Sequence, residues 1–108
     1  MLLDATRFED EVLGSAEPML VDFFGTWCEP CKKLAPTLAK LAREGYRVCK
    51  VNVESRPDLA QRYRVGAVPT LVVLKGGEEA DRFVGVQSER TLRDALDRAG
   101  AARRGVAG

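Results

Sequence analysis

Met19-Leu20-Val21-Asp22-Phe23-Phe24 is an almost continuous apolar run between Pro18 and Gly25, the pattern of a strand buried on both faces in a parallel sheet. Its one charge, Asp22, breaks that pattern. Leu34, Leu38 and Leu41 then recur at helical spacing, with lysines on the other side and Gly45 as a stop, so the spacing predicts a helix from about Cys31 to Glu44. Pro36 lies inside it, removes a backbone donor and predicts a kink near the first turns. Val48, Val51 and Val53 predict a second buried strand, followed by a short helix capped by Ser55 and opened by Pro57. After Pro69, Thr70-Leu71-Val72-Val73-Leu74 is the strongest strand of the chain, and Gly76-Gly77 turns it into an antiparallel return around Asp81 to Val84. Ser88 caps a last helix with Leu92, Ala95, Leu96 and Ala99 on one face, ending at Gly100. A helix with Phe8, Val12 and Leu13 inward precedes all of these. The order predicts an α/β sandwich, a mixed sheet with helices on both faces.

Composition narrows what such a fold can do. The 108 residues, 45% hydrophobic, suit one domain with one core, here taken as residues 1–102, with 103–108 as a disordered tail. Seventeen basic against sixteen acidic residues leave a net charge of +1, too little for the positive field on which nucleic-acid or anionic-membrane binding relies. No apolar run approaches the roughly twenty residues of a membrane span, and Met1-Leu2-Leu3-Asp4 has no basic segment leading into an apolar core, so a cytoplasmic protein is expected. Histidine is absent, which removes imidazole catalysis and most zinc sites. Three cysteines are too few for a disulfide scaffold, so the close pair reads as chemistry.

That pair stands in Trp27-Cys28-Glu29-Pro30-Cys31-Lys32, after a buried strand and at the start of a helix. Two cysteines so spaced can close a reversible disulfide, and Pro30 restricts the backbone between them. Cys28 falls where free amides and the positive helix end stabilise a thiolate, which makes it the expected nucleophile. Cys31, one turn inward and more buried, would resolve the mixed disulfide. A C-x-x-C pair can also hold zinc or an iron–sulfur cluster, but those sites want four soft ligands and only Cys49 is left to add. Cys49 itself reads as a core residue between Val48 and Val51.

Val21-Asp22-Phe23 through Cys31-Lys32, together with Val68-Pro69-Thr70 and Gly85, resembles the thioredoxin family over almost the whole chain. The resemblance implies a thioredoxin fold, with a five-stranded mixed sheet and four helices, and a cis bond at Val68-Pro69 beside the disulfide. It also implies reduction of disulfide-containing target proteins with electrons from a thioredoxin reductase. Asp22 matches the family's buried aspartate, which takes or relays the resolving thiol's proton, and burial would raise its pKa toward a useful value. The other reading of Asp22 is a strand-end residue turned to water. Lys50 matches the lysine that tunes this aspartate, and would otherwise be a solvated strand residue. Trp27 matches the tryptophan that shields the nucleophile. Val68 beside a cis Pro69 offers backbone for an extended substrate to pair with, and Ala67, Val84 and Gly85 complete an apolar docking surface. A trans Pro69 starting an edge strand is the alternative.

Three positions depart from the family pattern. Glu29 replaces the usual glycine, and its carboxylate opposes a Cys28 thiolate, which pushes the pair toward stronger reduction. Phe24 stands in place of a frequent second tryptophan, and Ala67 in place of a frequent glycine. The expected protein is a monomeric thiol–disulfide oxidoreductase with no bound cofactor beyond its own disulfide. An oxidant or isomerase, and a binding module with incidental thiols, are the alternatives.

Overall fold

Six consecutive residues of the apolar run form β2 (Met19–Phe24), the centre of a five-stranded sheet ordered β1-β3-β2-β4-β5. The other strands are β1 (Leu2–Asp4), β3 (Val48–Asn52), β4 (Thr70–Lys75) and β5 (Glu78–Val84). The computed structural model describes residues 2–101; the expected tail, 103–108, lies outside them. β1 and β2 both run parallel to β3, while β4 runs antiparallel to β2 and β5 to β4, so the sheet is mixed.

Alternation along the strands divides the apolar residues between two layers. Val21, Phe23, Cys49, Val51, Val72 and Leu74 face Phe8, Val12, Leu59 and Tyr63. Leu20, Val48, Leu71 and Val73 face α1 (Glu29–Arg43) and α3 (Glu89–Arg98) through Leu34, Leu38, Leu41, Leu92, Ala95 and Leu96. Asp22 shares the parity of Leu20 and therefore belongs to the second layer.

Several boundaries differ from the expectation. The N-terminal helix is a 3-10 turn (Ala5–Arg7) followed by a five-residue π-helical segment (Glu9–Leu13), and Leu13 is only half-buried. Strand β1 was not marked by the apolar pattern. Pro36 lies inside α1, which begins at Glu29 rather than Cys31. Helix α2 (Pro57–Arg62) is capped at Arg56, not Ser55. Asn52 takes over there: its carbonyl accepts the N–H groups of Ser55 and Arg56 at 3.1 and 2.9 Å, and its side chain accepts that of Glu54 at 2.8 Å. The hairpin turns through Gly76 and Gly77, both at positive φ (61° and 83°), where glycine carries no steric cost.

Ser88 does cap α3, its Oγ accepting the Thr91 N–H at 3.1 Å. Ser88→Ala should therefore lower unfolding free energy by about 1 kcal/mol, read as a lower urea midpoint at unchanged m-value.

Candidate functional site

The chain leaves β2 at Phe24, turns through Gly25 to Trp27 and enters α1 with Cys28 as its cap (φ −92°, ψ 110°). Cys28 Sγ accepts the Cys31 N–H at 3.2 Å, so the sulfur occupies the place a serine or aspartate oxygen takes at other helix starts. Cys28 and Cys31 form a disulfide with Cα atoms 5.3 Å apart. One expectation fails here. Cys31 is not the more buried residue: Cys28 is 4% exposed and Cys31 5%. The loop before β4 supplies the missing cover, with Val68 O lying 3.7 Å from Cys28 Sγ. The two cysteines therefore differ by position along the helix dipole rather than by residue burial.

That loop is held from three sides. The Val68-Pro69 bond is cis. Thr70, buried, donates its hydroxyl to Ala67 O at 2.6 Å, and Gly85, at φ 92°, donates its N–H to Pro69 O at 2.8 Å. Sequence reasoning passed over Thr70 as a strand residue; a hydroxyl directly after the proline of a site loop was the available signal. Val84 is 60% exposed and Trp27 65%. The Trp27 indole lies so close to Gly25 that a Cβ there would stand 2.9 Å from its Cε2, a contact that sequence reasoning also missed. A groove of about 150 Å³ runs between Trp27, Val53 and the 65–68 loop, including Ala67 and Val68.

Asp22 has no exposed surface, and neither carboxylate oxygen has a hydrogen-bond partner. Burial pushes its pKa up to about 6, against the opposing pull of Lys50. The strand-end reading of Asp22 is thereby excluded. Lys50 is its register partner across β2 and β3. The Lys50 ammonium stands 4.8 Å from the centre of the Phe24 ring, and Lys50, Phe24 and Cys31 line one cavity of about 210 Å³. Phe24 thus lies against Lys50, not in the groove beside Trp27. Cys49 points into the opposite layer, where burial pushes its thiol up to about 12. Glu29 and Pro30 are exposed on the first turn of α1, and Lys32 Nζ donates to Glu29 Oε1 at 3.1 Å. Among the described residues no three His, Cys, Asp or Glu side chains come together as a metal site, and no helix is long and apolar enough to cross a membrane.

A dithiol closed into a disulfide at a helix N-terminus, against a cis-proline loop and with a buried carboxyl on the strand that leads into it, defines a protein of thiol–disulfide exchange. The thioredoxin family model matches residues 1–98, and the chain belongs to that family. It is 40% identical over 96 residues to Thioredoxin 1 of Nostoc sp., covering 86% of this chain and 90% of the relative. It is 40% identical over 92 residues to the mitochondrial thioredoxin of Mus musculus, covering 82% of this chain and 55% of the relative. Over 98 residues it is 41% identical to the bifunctional thioredoxin reductase/thioredoxin of Mycobacterium leprae, covering 87% of this chain and 21% of that one. The chain is therefore a thiol–disulfide oxidoreductase working through a redox-active disulfide.

Proposed function

We propose that the protein reduces disulfides in target proteins, with Cys28 as nucleophile, and the observation that carries this reading is the Cys28 sulfur serving as the cap of α1. In the reduced protein, that position lets the free amides and the helix dipole favour a Cys28 thiolate. The thiolate attacks one sulfur of a target disulfide, forms the Cys28–target bond and expels the other target sulfur, which takes up a proton. Cys31 then attacks Cys28 Sγ, closes the internal disulfide and releases the second target thiol. Two electrons pass to the target.

Asp22 receives the Cys31 proton, which suits a carboxyl raised to about 6, and Lys50 tunes it from the neighbouring strand. Trp27, Ala67, Val68, Pro69, Val84 and Gly85 form the docking face, with the Val68 backbone available to an extended target. Electrons return from a thioredoxin reductase, a partner supported by the fusion of the two proteins in the Mycobacterium leprae relative. The domain spans 1–102, and the protein acts as a cytoplasmic monomer with no external cofactor.

Glu29 and Pro30 tune the potential. Glu29→Gly removes a negative charge beside Cys28, stabilises its thiolate and should raise the midpoint potential by about 5–20 mV, the scale of an exposed charge interaction, with the shift shrinking at high salt. Redox titration of both proteins at two salt concentrations checks this; an unchanged potential removes the electrostatic role. The functional reading as a whole is tested by insulin reduction with wild type and Cys28→Ser. A wild type that reduces no insulin, or a biological activity that survives the substitution, would favour a binding module with incidental thiols.

A further inference from the structure

The carboxyl ends of the parallel strands β1, β2 and β3 open onto a cavity of about 470 Å³, whose walls include Asp4, Phe24, Lys50, Asn52, Ser55 and Arg56. No residue of α1 or α3 lines it. The volume lies in the range of small-molecule sites.

Its polar groups are unequally spent. Arg56 is committed, donating to Glu9 Oε1 at 2.7 Å, to Asp58 Oδ1 at 3.1 Å and to Ala5 O at 2.7 Å. Asp4 accepts from both the backbone and the hydroxyl of Thr6. Asn52 has used its carbonyl oxygen on Glu54, which leaves its amide N–H₂ to offer. Among the described residues, the Ser55 hydroxyl makes no hydrogen bond, and the Lys50 ammonium is within ion-pair distance of no carboxylate, resting only on the Phe24 ring. What the cavity has left to give is an ammonium, an amide N–H₂ and a hydroxyl beside an aromatic face. Such a set takes an acceptor-rich anionic head carried on a flat apolar body.

We propose that this cavity is a binding site for a small aromatic anion, with Lys50 and Asn52 on the anionic head and Phe24 against the ring. The site is separate from the groove beside Trp27. It holds the ammonium of Lys50, the residue in register with Asp22 whose charge pulls on that carboxyl, so its occupant bears on the protonation of Asp22.

Phenyl phosphate titrated into the whole oxidised chain tests this, with the backbone amides of Thr6, Phe24, Lys50, Asn52 and Ser55 followed by NMR. Saturable shifts confined to these residues are expected. Lys50→Gln should weaken binding about tenfold, the scale of a lost charge-assisted hydrogen bond. Asp4→Asn removes a negative charge from the wall, keeps a side-chain acceptor for Thr6, and should tighten binding about threefold. Shifts that do not saturate, an affinity unchanged by Lys50→Gln, weaker binding to Asp4→Asn, or tighter binding of phenyltrimethylammonium than of phenyl phosphate would each overturn the assignment. Because binding is read directly, failure here is distinguishable from failure of the disulfide chemistry.

Discussion

Cys31→Ser should convert the protein into a trap, joined through Cys28 to its targets by a disulfide that no longer resolves. The proposed exchange has two displacements, and this variant stops the second. Serine is nearly isosteric with cysteine, and its hydroxyl is a far weaker nucleophile than a thiolate at neutral pH. The trapped complex should be visible by non-reducing electrophoresis and dissolve with dithiothreitol, while multiple-turnover reduction falls by about a thousandfold or more. Cys28→Ser should lose turnover to the same extent but trap nothing, because the helix-start amide is donated to the Cys28 sulfur and not to that of Cys31, so only Cys28 is favoured as a thiolate. Equal trapping by both variants would contradict the assignment of Cys28 as the attacking sulfur. The contrast carries weight because the two cysteines are equally buried as residues in the oxidised form, so burial alone does not predict it.

Asp22→Ala should stabilise the oxidised protein at pH 8 and do little at pH 3. The folded carboxyl titrates at about 6, against about 3.9 in an unfolded chain. Below the lower value both states hold the proton and burial of the acid carries no ionic penalty. As pH rises through the interval the unfolded state ionises first, so folding is penalised progressively, and above the upper value the penalty is complete at about 3 kcal/mol. That value is the ceiling of the gain, since alanine also leaves a small void. Other carboxyls move the opposite way: arginine partners and hydrogen bonds hold Glu9, Asp58, Glu79 and Glu89 below their ordinary values. The diagnostic quantity is therefore the difference between variant and wild type, measured by urea unfolding across pH 3–8. A difference independent of pH would contradict the buried, unpartnered carboxyl. The same variant should also slow target reduction, since in the proposed exchange Asp22 accepts the Cys31 proton.

The residues that made the fold legible are those whose pattern is long or whose chemistry is restrictive. Five apolar residues around Asp22 read as a buried strand, and the glycine pair Gly76-Gly77 marked the turn between the last two strands. Strand β1 escaped because Leu2–Asp4 is three residues long and carries no periodicity of its own; it exists through pairing with Val48, Cys49 and Lys50. Ser55 looked like a helix cap by residue type, yet the turn there is organised by Asn52, which bonds three backbone donors and leaves Arg56 at the cap. Phe8 and Val12 have helical spacing, but five residues between a 3-10 turn and Gly14 close as a π segment.

At the site, the helix-start position of Cys28 was legible locally, and the cis proline and the roles proposed for Asp22 and Lys50 came with the family resemblance. The equal burial of the two cysteines was not legible. It depends on Val68, forty residues away in sequence, and on how Thr70 and Gly85 hold that loop. The Trp27–Gly25 contact is likewise a matter of side-chain placement, which periodicity does not encode.

The central claim is that Cys28 and Cys31 form a reducing couple, and its most direct test is the midpoint potential of the pair, titrated against a thiol–disulfide buffer and read by differential alkylation. The account predicts a value near or below about −250 mV, the range known for thioredoxins generally. A value above about −150 mV, or no disulfide at any poise, would contradict it.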